Sequence, residues 1–72
     1  MIDTKKLEEV IKESGYRIQF LEKSLNLSPQ AFLNKRYGKK EFTVGEALIL
    51  KNVLKLSDQE TISIFFTEEV EK

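Results

Sequence analysis

Two capping boxes in the second half of the chain constrain the fold more than any other feature of the sequence. In Thr43-Val-Gly-Glu46 and in Ser57-Asp-Gln-Glu60, a hydroxyl residue is followed three positions later by glutamate. Such a pair satisfies free N–H groups at a helix start, because each side chain bonds the backbone of the other residue. We therefore predict one helix from Thr43 to about Leu54 and another from Ser57 to about Phe65.

Three further helices are predicted in the first half of the chain. Gly15 and Asn26 tolerate the left-handed backbone conformation in which many helices end. Ser28 is a good cap, and Pro29 suits the first helical position, where its missing N–H costs nothing. We predict helix one over Thr4–Ser14, capped by Asp3 or Thr4, helix two over about Arg17–Leu25 and helix three over about Pro29–Tyr37.

The fold class predicted from these signals is all-α, with five short helices in one domain that covers residues 1–72. Apolar residues recur at helical spacing, so each helix has one face for a shared core. On helix five, the residues predicted to face inward are Ile62, Phe65 and Phe66. Only Ile64–Val70 is a candidate for an extended strand instead of a helix.

Composition narrows the range of functions. The 72 residues include no cysteine and no histidine, so disulfides, the usual zinc ligands and the commonest catalytic base are excluded. We predict that the protein is not an enzyme and needs no metal and no cofactor or small-molecule substrate. There is no apolar stretch of roughly 20 residues to span a membrane and no signal peptide, which predicts a cytoplasmic location.

The net charge is zero, but the charges are unevenly distributed. Residues 17–55 carry eight basic and three acidic side chains, whereas residues 56–72 carry one basic and five acidic ones and end in an acidic tail, 67–72. Lys35, Arg36, Lys39 and Lys40 place four cations within six residues. Because cations this close together repel one another, the cluster favours an anionic partner.

Helices two and three, with the turn Leu25–Ser28 between them, match the helix-turn-helix motif over about residues 17–37. In that motif the first turn of the second helix enters the major groove of DNA. Gln and Asn side chains pair with adenine there, and Ala contacts a thymine methyl group, while basic residues lie near phosphates. The predicted DNA-binding residues are Ser28, Gln30, Ala31, Asn34, Lys35, Lys39, Lys40 and Arg17.

This arrangement resembles the Cro/CI-type (lambda-repressor-like) helix-turn-helix family of temperate-phage regulators over roughly residues 4–66. The segment Phe32–Lys39 resembles the recognition helix and glycine exit of phage repressors from Gram-positive bacteria. Leu54–Ser57 and Ile64–Phe66 resemble the later helices of that group. The resemblance implies a DNA-binding-type domain.

Two positions depart from the pattern of the family. Glu22 stands where the family usually has Ala at a close helix crossing, so either the two helices are spread or the side chain points outward. Arg17 and Ile18 stand where the family has a cap and a glutamine, which alters an expected pair of phosphate contacts. Tyr16 and Tyr37 are predicted to pack within the fold, because no strand platform for base stacking is predicted.

Within the family, the closest resemblance is to the antirepressors, or modulators of repression, of lactococcal phages. It implies a regulator of the lysis–lysogeny switch that binds the N-terminal domain of the phage CI repressor, with joint binding of operator DNA. The alternative is a Cro-like repressor that binds operator DNA directly as a homodimer. A third reading is a small interaction module that binds no DNA. The sequence does not identify the surface that contacts a protein partner.

Overall fold

The structure, a computed structural model, describes residues 2–66, and in this part the chain forms five α-helices and no strand. The helices are α1 (Thr4–Ser14), α2 (Ile18–Leu25), α3 (Pro29–Arg36), α4 (Val44–Leu54) and α5 (Asp58–Phe65). The all-α prediction is confirmed, with every helix boundary within one residue of its predicted position. Ile64 and Phe65 are helical. The remainder of the strand candidate beyond Phe66 lies outside the described residues, as does the predicted acidic tail, 67–72.

Side-chain caps explain why four of the five helices begin where they do. The capping residues that accept a backbone N–H from the first turn are Asp3, Ser28, Thr43 and Ser57. Both predicted capping boxes are confirmed, since Glu46 and Glu60 bond back to the N–H of their cap residues. The exception is α2, where Arg17 occupies the cap position and makes no side-chain cap hydrogen bond.

Left-handed residues terminate three of the helices. Gly15 (φ 79°) ends α1 and Asn26 (φ 57°) ends α2, as predicted. Lys55 (φ 58°) ends α4, and the sequence did not suggest this position. A lysine in this conformation brings its Cβ close to the following carbonyl. The N–H of Leu56 donates to the Lys51 carbonyl at 2.9 Å. This hydrogen bond stabilises the left-handed conformation of Lys55, as it does where a glycine ends a helix.

One hydrophobic core joins all five helices. Phe32 is the one buried residue that α3 contributes to it. Phe32 is 0% exposed, and the Phe42 ring contacts both Phe32 and Phe65 edge-on, with centroid distances of 6.2 and 5.5 Å. The buried apolar residues are Leu7, Ile11, Leu21, Leu25, Phe32, Ala47, Leu50, Leu56, Ile64 and Phe65. Because α3 has only one buried residue, most of its surface is left for other contacts.

The inward face predicted for α5 is partly wrong. Phe65 is buried, but Ile62 and Phe66 are 58% and 51% exposed, and Thr61 is buried in their place. The Thr61 hydroxyl donates to the Ser57 carbonyl at 2.8 Å, which satisfies its polar group within the helix. The backbone N–H of Asp3 donates to the Ile64 carbonyl at 2.8 Å. The orientation of α5 therefore follows from its docking against the segment before α1.

Metal binding and membrane insertion each require a recognisable structural feature. Among residues 2–66, no three or more acidic side chains come together in a group suited to a metal ion. Within the same residues, no helix combines the length and the apolar character that crossing a membrane requires.

Candidate functional site

The turn between α2 and α3 fixes the angle at which α3 leaves the core. The N–H of Leu27 donates to the Glu22 carbonyl at 3.0 Å, and the N–H of Asn26 donates to the Lys23 carbonyl at 3.1 Å. These two bonds form the wrapped helix end that a left-handed residue permits. Leu27 then packs against the core, and Glu22 is only partly exposed.

The first two turns of α3 present two amide side chains that contact each other. Gln30 Nε2 donates to Asn34 Oδ1 at 3.1 Å, one helical turn apart. Gln30 is exposed, Asn34 is half-buried and Ala31 is half-buried between them. The Ser28 hydroxyl accepts the N–H of Ala31 at 3.1 Å, so it acts as the helix cap. Ser28, Gln30 and Ala31 lie at the first turn of α3 and Asn34 lies one turn later, as the sequence predicted, with the hydroxyl of Ser28 already engaged.

Lys35 requires a correction, because its ammonium group is used within the fold. Its Nζ donates to both carboxylate oxygens of Glu46, at 2.7 and 2.9 Å. Both side chains are only 15% exposed. Glu46 Oε1 also accepts the N–H of Thr43 at 2.9 Å. The lysine predicted to lie near a phosphate therefore fastens the end of α3 to the start of α4.

The ionisation of Glu46 reflects these contacts. Burial alone would raise the pKa of Glu46, but the hydrogen bonds from Lys35 and Thr43 and the charge of Lys35 outweigh it. The net result is a pKa of Glu46 below its ordinary value of 4.5. The carboxylate is therefore charged under all conditions near neutral pH, and the ion pair is intact there.

Arg36 is also used within the fold. Its guanidinium carbon lies 4.9 Å from the centre of the Phe32 ring and 5.6 Å from that of Tyr37. A cation above an aromatic face is attracted by the ring quadrupole. Its Nε is buried and has no hydrogen-bond partner among the described residues. Tyr37 is 56% exposed, so the prediction that it packs within the fold is wrong.

Lys39 and Lys40 remain in solvent. Both are exposed, and within residues 2–66 neither forms an ion pair. Their backbone N–H groups donate to the Asn34 carbonyl at 2.9 and 3.3 Å, which holds the turn after α3 in place. Arg17 is exposed as well, at the start of α2. Three of the predicted basic site residues are therefore available for an anion.

A second feature of the surface was not predicted from the sequence. Lys51 Nζ lies 3.1 Å from Asp58 Oδ1, and the Phe42 and Phe65 rings are in contact, so α4 and α5 run side by side in opposite directions. Four exposed apolar side chains fall at helical spacing from the two partners of this ion pair: Val44 (62% exposed) and Leu48 (51%) precede Lys51 on one face of α4, and Ile62 (58%) and Phe66 (51%) follow Asp58. We call this group the α4–α5 seam. Their spacing, i and i+4 on each helix, is the signal that sequence analysis missed.

The site thus combines a polar first turn on α3, three available cations and a separate apolar seam. No protein-family model, curated protein or solved structure matches this chain. The exposed cations and apolar side chains of the site are suited to binding anions and apolar surfaces.

Proposed function

We propose that this chain is a helix-turn-helix regulator of the lysis–lysogeny switch of a temperate phage. It acts in the bacterial cytoplasm as an antirepressor, by binding the N-terminal domain of a CI-type repressor, with or without operator DNA in the same complex. The single observation that supports this proposal best is the division of the surface. Half of the basic cluster is engaged within the fold, whereas the α4–α5 seam exposes four large apolar side chains.

Direct DNA binding by one copy is expected to be weak. Arg17, Lys39 and Lys40 are the cations of the predicted site that remain available. Three phosphate contacts give a salt dependence of roughly 2.7 log units of affinity per log unit of salt, whereas strong binders make about six to ten contacts. A single copy therefore lacks the electrostatic term that supplies most of the affinity of DNA-binding domains.

The α4–α5 seam suits a protein partner. Exposed apolar side chains grouped on one face are typical of interaction sites. Asp58, whose side chain is 90% exposed, and the exposed Glu41 lie at the two ends of this seam. The DNA-binding surface of a repressor is basic, so acidic groups beside the seam raise the association rate with it. A protein bound there would cover the surface that the repressor needs for its operator.

The test is a titration of labelled operator DNA with the repressor N-terminal domain, followed by addition of this chain. We expect the chain to abolish or shift the repressor footprint and to form no sequence-specific complex alone. Leu48→Ser is expected to weaken the effect at least fivefold. Ile49→Ser is the matched control, since Ile49 is also exposed but lies on the other side of α4. An unchanged footprint at micromolar concentrations of the chain would exclude the antirepressor function.

The second candidate function is that of a Cro-like repressor which binds operator DNA as a homodimer. The Gln30–Asn34 pair on the first two turns of α3 favours it, because such amides bind adenine in the major groove. In the same titration, this function predicts sequence-specific binding by the chain alone that weakens steeply with salt. Replacing both Gln30 and Asn34 by Ala would then relax specificity.

A further inference from the structure

Tyr16 and Phe20 form an exposed aromatic stack at the start of α2. Their ring centroids are 4.9 Å apart and their planes differ by 25°. Tyr16 is 41% and Phe20 47% exposed, so the prediction that Tyr16 packs within the fold is wrong. Each ring covers one face of the other, and a large part of each remains exposed. The pair is a rigid apolar ridge, because aromatic side chains have only two rotatable bonds.

Two grooves adjoin this ridge and share Gly15 and Tyr16 as a common wall. The first, of about 440 Å³, runs between α1 and α3, and the second, of about 420 Å³, runs along α2. Both volumes are large enough for one or two side chains of a ligand. The aromatic ridge therefore lies between the two grooves, a shape that suits a peptide whose side chains project to both sides.

The charge of the two grooves is strongly biased. The first is lined by Lys12 and Arg36, and the second by Arg17 and Lys23. Glu8, in the first groove, is the one acidic residue among the residues that line them. An excess of cations beside an apolar ridge attracts acidic partners and raises their association rate.

We propose that this ridge and its two grooves bind an acidic peptide segment that carries an aromatic or large aliphatic side chain. The apolar side chain of the peptide packs against the Tyr16–Phe20 stack, and its carboxylates pair with the exposed Lys12 on one side and with the exposed Arg17 and Lys23 on the other. The surface lies on the α1–α2 side and contains no residue of the α4–α5 seam. The inference therefore goes beyond the proposed function and does not depend on it.

The single carboxylate in the grooves favours a peptide over a nucleic-acid strand. Glu8 lines the same groove as Lys12 and Arg36. A strand with a phosphate at every nucleotide would bring negative charge against it, and like charges at short distance repel. A peptide carries backbone N–H groups that can donate to Glu8 while its side-chain carboxylates meet the cations.

The experiment is a fluorescence anisotropy titration of a labelled octapeptide, DEWEDLEE, with the full chain. We expect saturable binding with a Kd below about 1 mM. The peptide DESEDSEE, which lacks the apolar side chains, should bind at least fivefold more weakly, and KKWKKLKK should not bind. Amide chemical-shift changes in the NMR spectrum of the unmodified chain should centre on Gly15, Gln19 and Lys23. This measurement does not depend on whether any variant folds.

Two variants test the assignment to residues. Tyr16→Ser with Phe20→Ser, and separately Lys23→Glu, should each weaken DEWEDLEE binding at least fivefold. Arg17 is left unchanged because it also belongs to the candidate DNA-binding site. Lys6→Glu is the charge-matched control, since Lys6 is an exposed helical lysine that lines neither groove, and its Kd should stay within twofold.

Several results would overturn the proposal. They are the absence of saturable binding, equal binding of DESEDSEE, and wild-type affinity in both the ridge variant and Lys23→Glu. Tighter binding of a ten-nucleotide oligothymidylate than of DEWEDLEE would assign the surface to nucleic acid instead. Circular dichroism melting of each variant confirms that a loss of binding is not a loss of fold.

Discussion

Lys35 and Arg36 at the end of α3 and Lys39 and Lys40 in the turn that follows carry the same charges but are used differently. The first two are held inside the fold, by the carboxylate of Glu46 and by the Phe32 ring. The second two are exposed. A run of basic residues in a sequence therefore indicates a high local charge density. It does not indicate how many of those charges are accessible to a partner.

The difference between the two pairs follows from helix geometry. Lys35 and Arg36 lie in the last turn of α3, three and four residues after the buried Phe32, which directs them back toward the body of the protein. Lys39 and Lys40 follow Gly38, whose φ of 85° turns the chain away from the helix axis.

The sharpest test reverses one charge in each pair. Lys35→Glu places a carboxylate against Glu46, where both side chains are 15% exposed, and we expect a loss of roughly 2–3 kcal/mol in the free energy of unfolding. Lys39→Glu, in solvent, should change it by less than about 0.5 kcal/mol. Urea denaturation of both variants measures the difference. Equal effects would show that the two pairs have the same environment.

Titration perturbs the same ion pair more gently. Because the pKa of Glu46 is lowered in the folded state, its contribution to stability is complete above pH 4.5 and is lost as the pH falls through the lower folded-state pKa. We therefore expect Glu46→Gln to be less stable than wild type at neutral pH, and the gap to close in acid. Thermal melts between neutral pH and about pH 3 check this, and a gap that widens in acid would contradict it.

The exposed pair is tested by binding. If the chain contacts DNA, replacing both Lys39 and Lys40 by Glu should weaken non-specific DNA binding about tenfold and reduce the salt slope by roughly 1.8. Stability should be unaffected. Measurement of affinity at several salt concentrations gives the slope, and Lys6→Glu serves as the control for a general change of charge. An unchanged slope would remove this turn from any nucleic-acid interface.

The smallest effect is expected at Arg36. Arg36→Met keeps the aliphatic stem over Phe32 but removes the cation, which should cost about 0.5–1 kcal/mol of stability. Phe32 itself is unchanged in this variant and fully buried. The loss of stability therefore reports the removal of the guanidinium group above its ring. Urea denaturation measures the loss. A larger loss, above about 2 kcal/mol, would indicate that the group does more than interact with the two rings.

Much of the fold could be predicted from the sequence because helix ends are encoded locally. Ser28 with Pro29, and each capping box, specify a helix start within four residues, so the boundaries came out within one residue. Helix faces were harder to predict. Thr61 and not Ile62 is buried, because α5 docks through the Asp3–Ile64 hydrogen bond, and no local pattern records a contact across the whole chain.

The candidate site was predictable only in part for the same reason. Ser28, Gln30, Ala31 and Asn34 come together because they lie on two successive turns at the start of one helix, which is a local property. The partner of Lys35 is 11 residues away in sequence. The carboxylate of Glu46 also completes a capping box. The capping box could be recognised from the sequence, but the ion pair of Glu46 with Lys35 could not.

The ion pair between Lys35 and Glu46 has a consequence for anything that binds at Lys39 and Lys40. It closes the base of the loop that carries them, and the Asn34 carbonyl holds the loop from within. The loop is thus preorganised, and a ligand that contacts its tip loses less conformational entropy than it would on a loose segment. Acid or substitution at the base would then weaken binding at the tip without removing a single contact there.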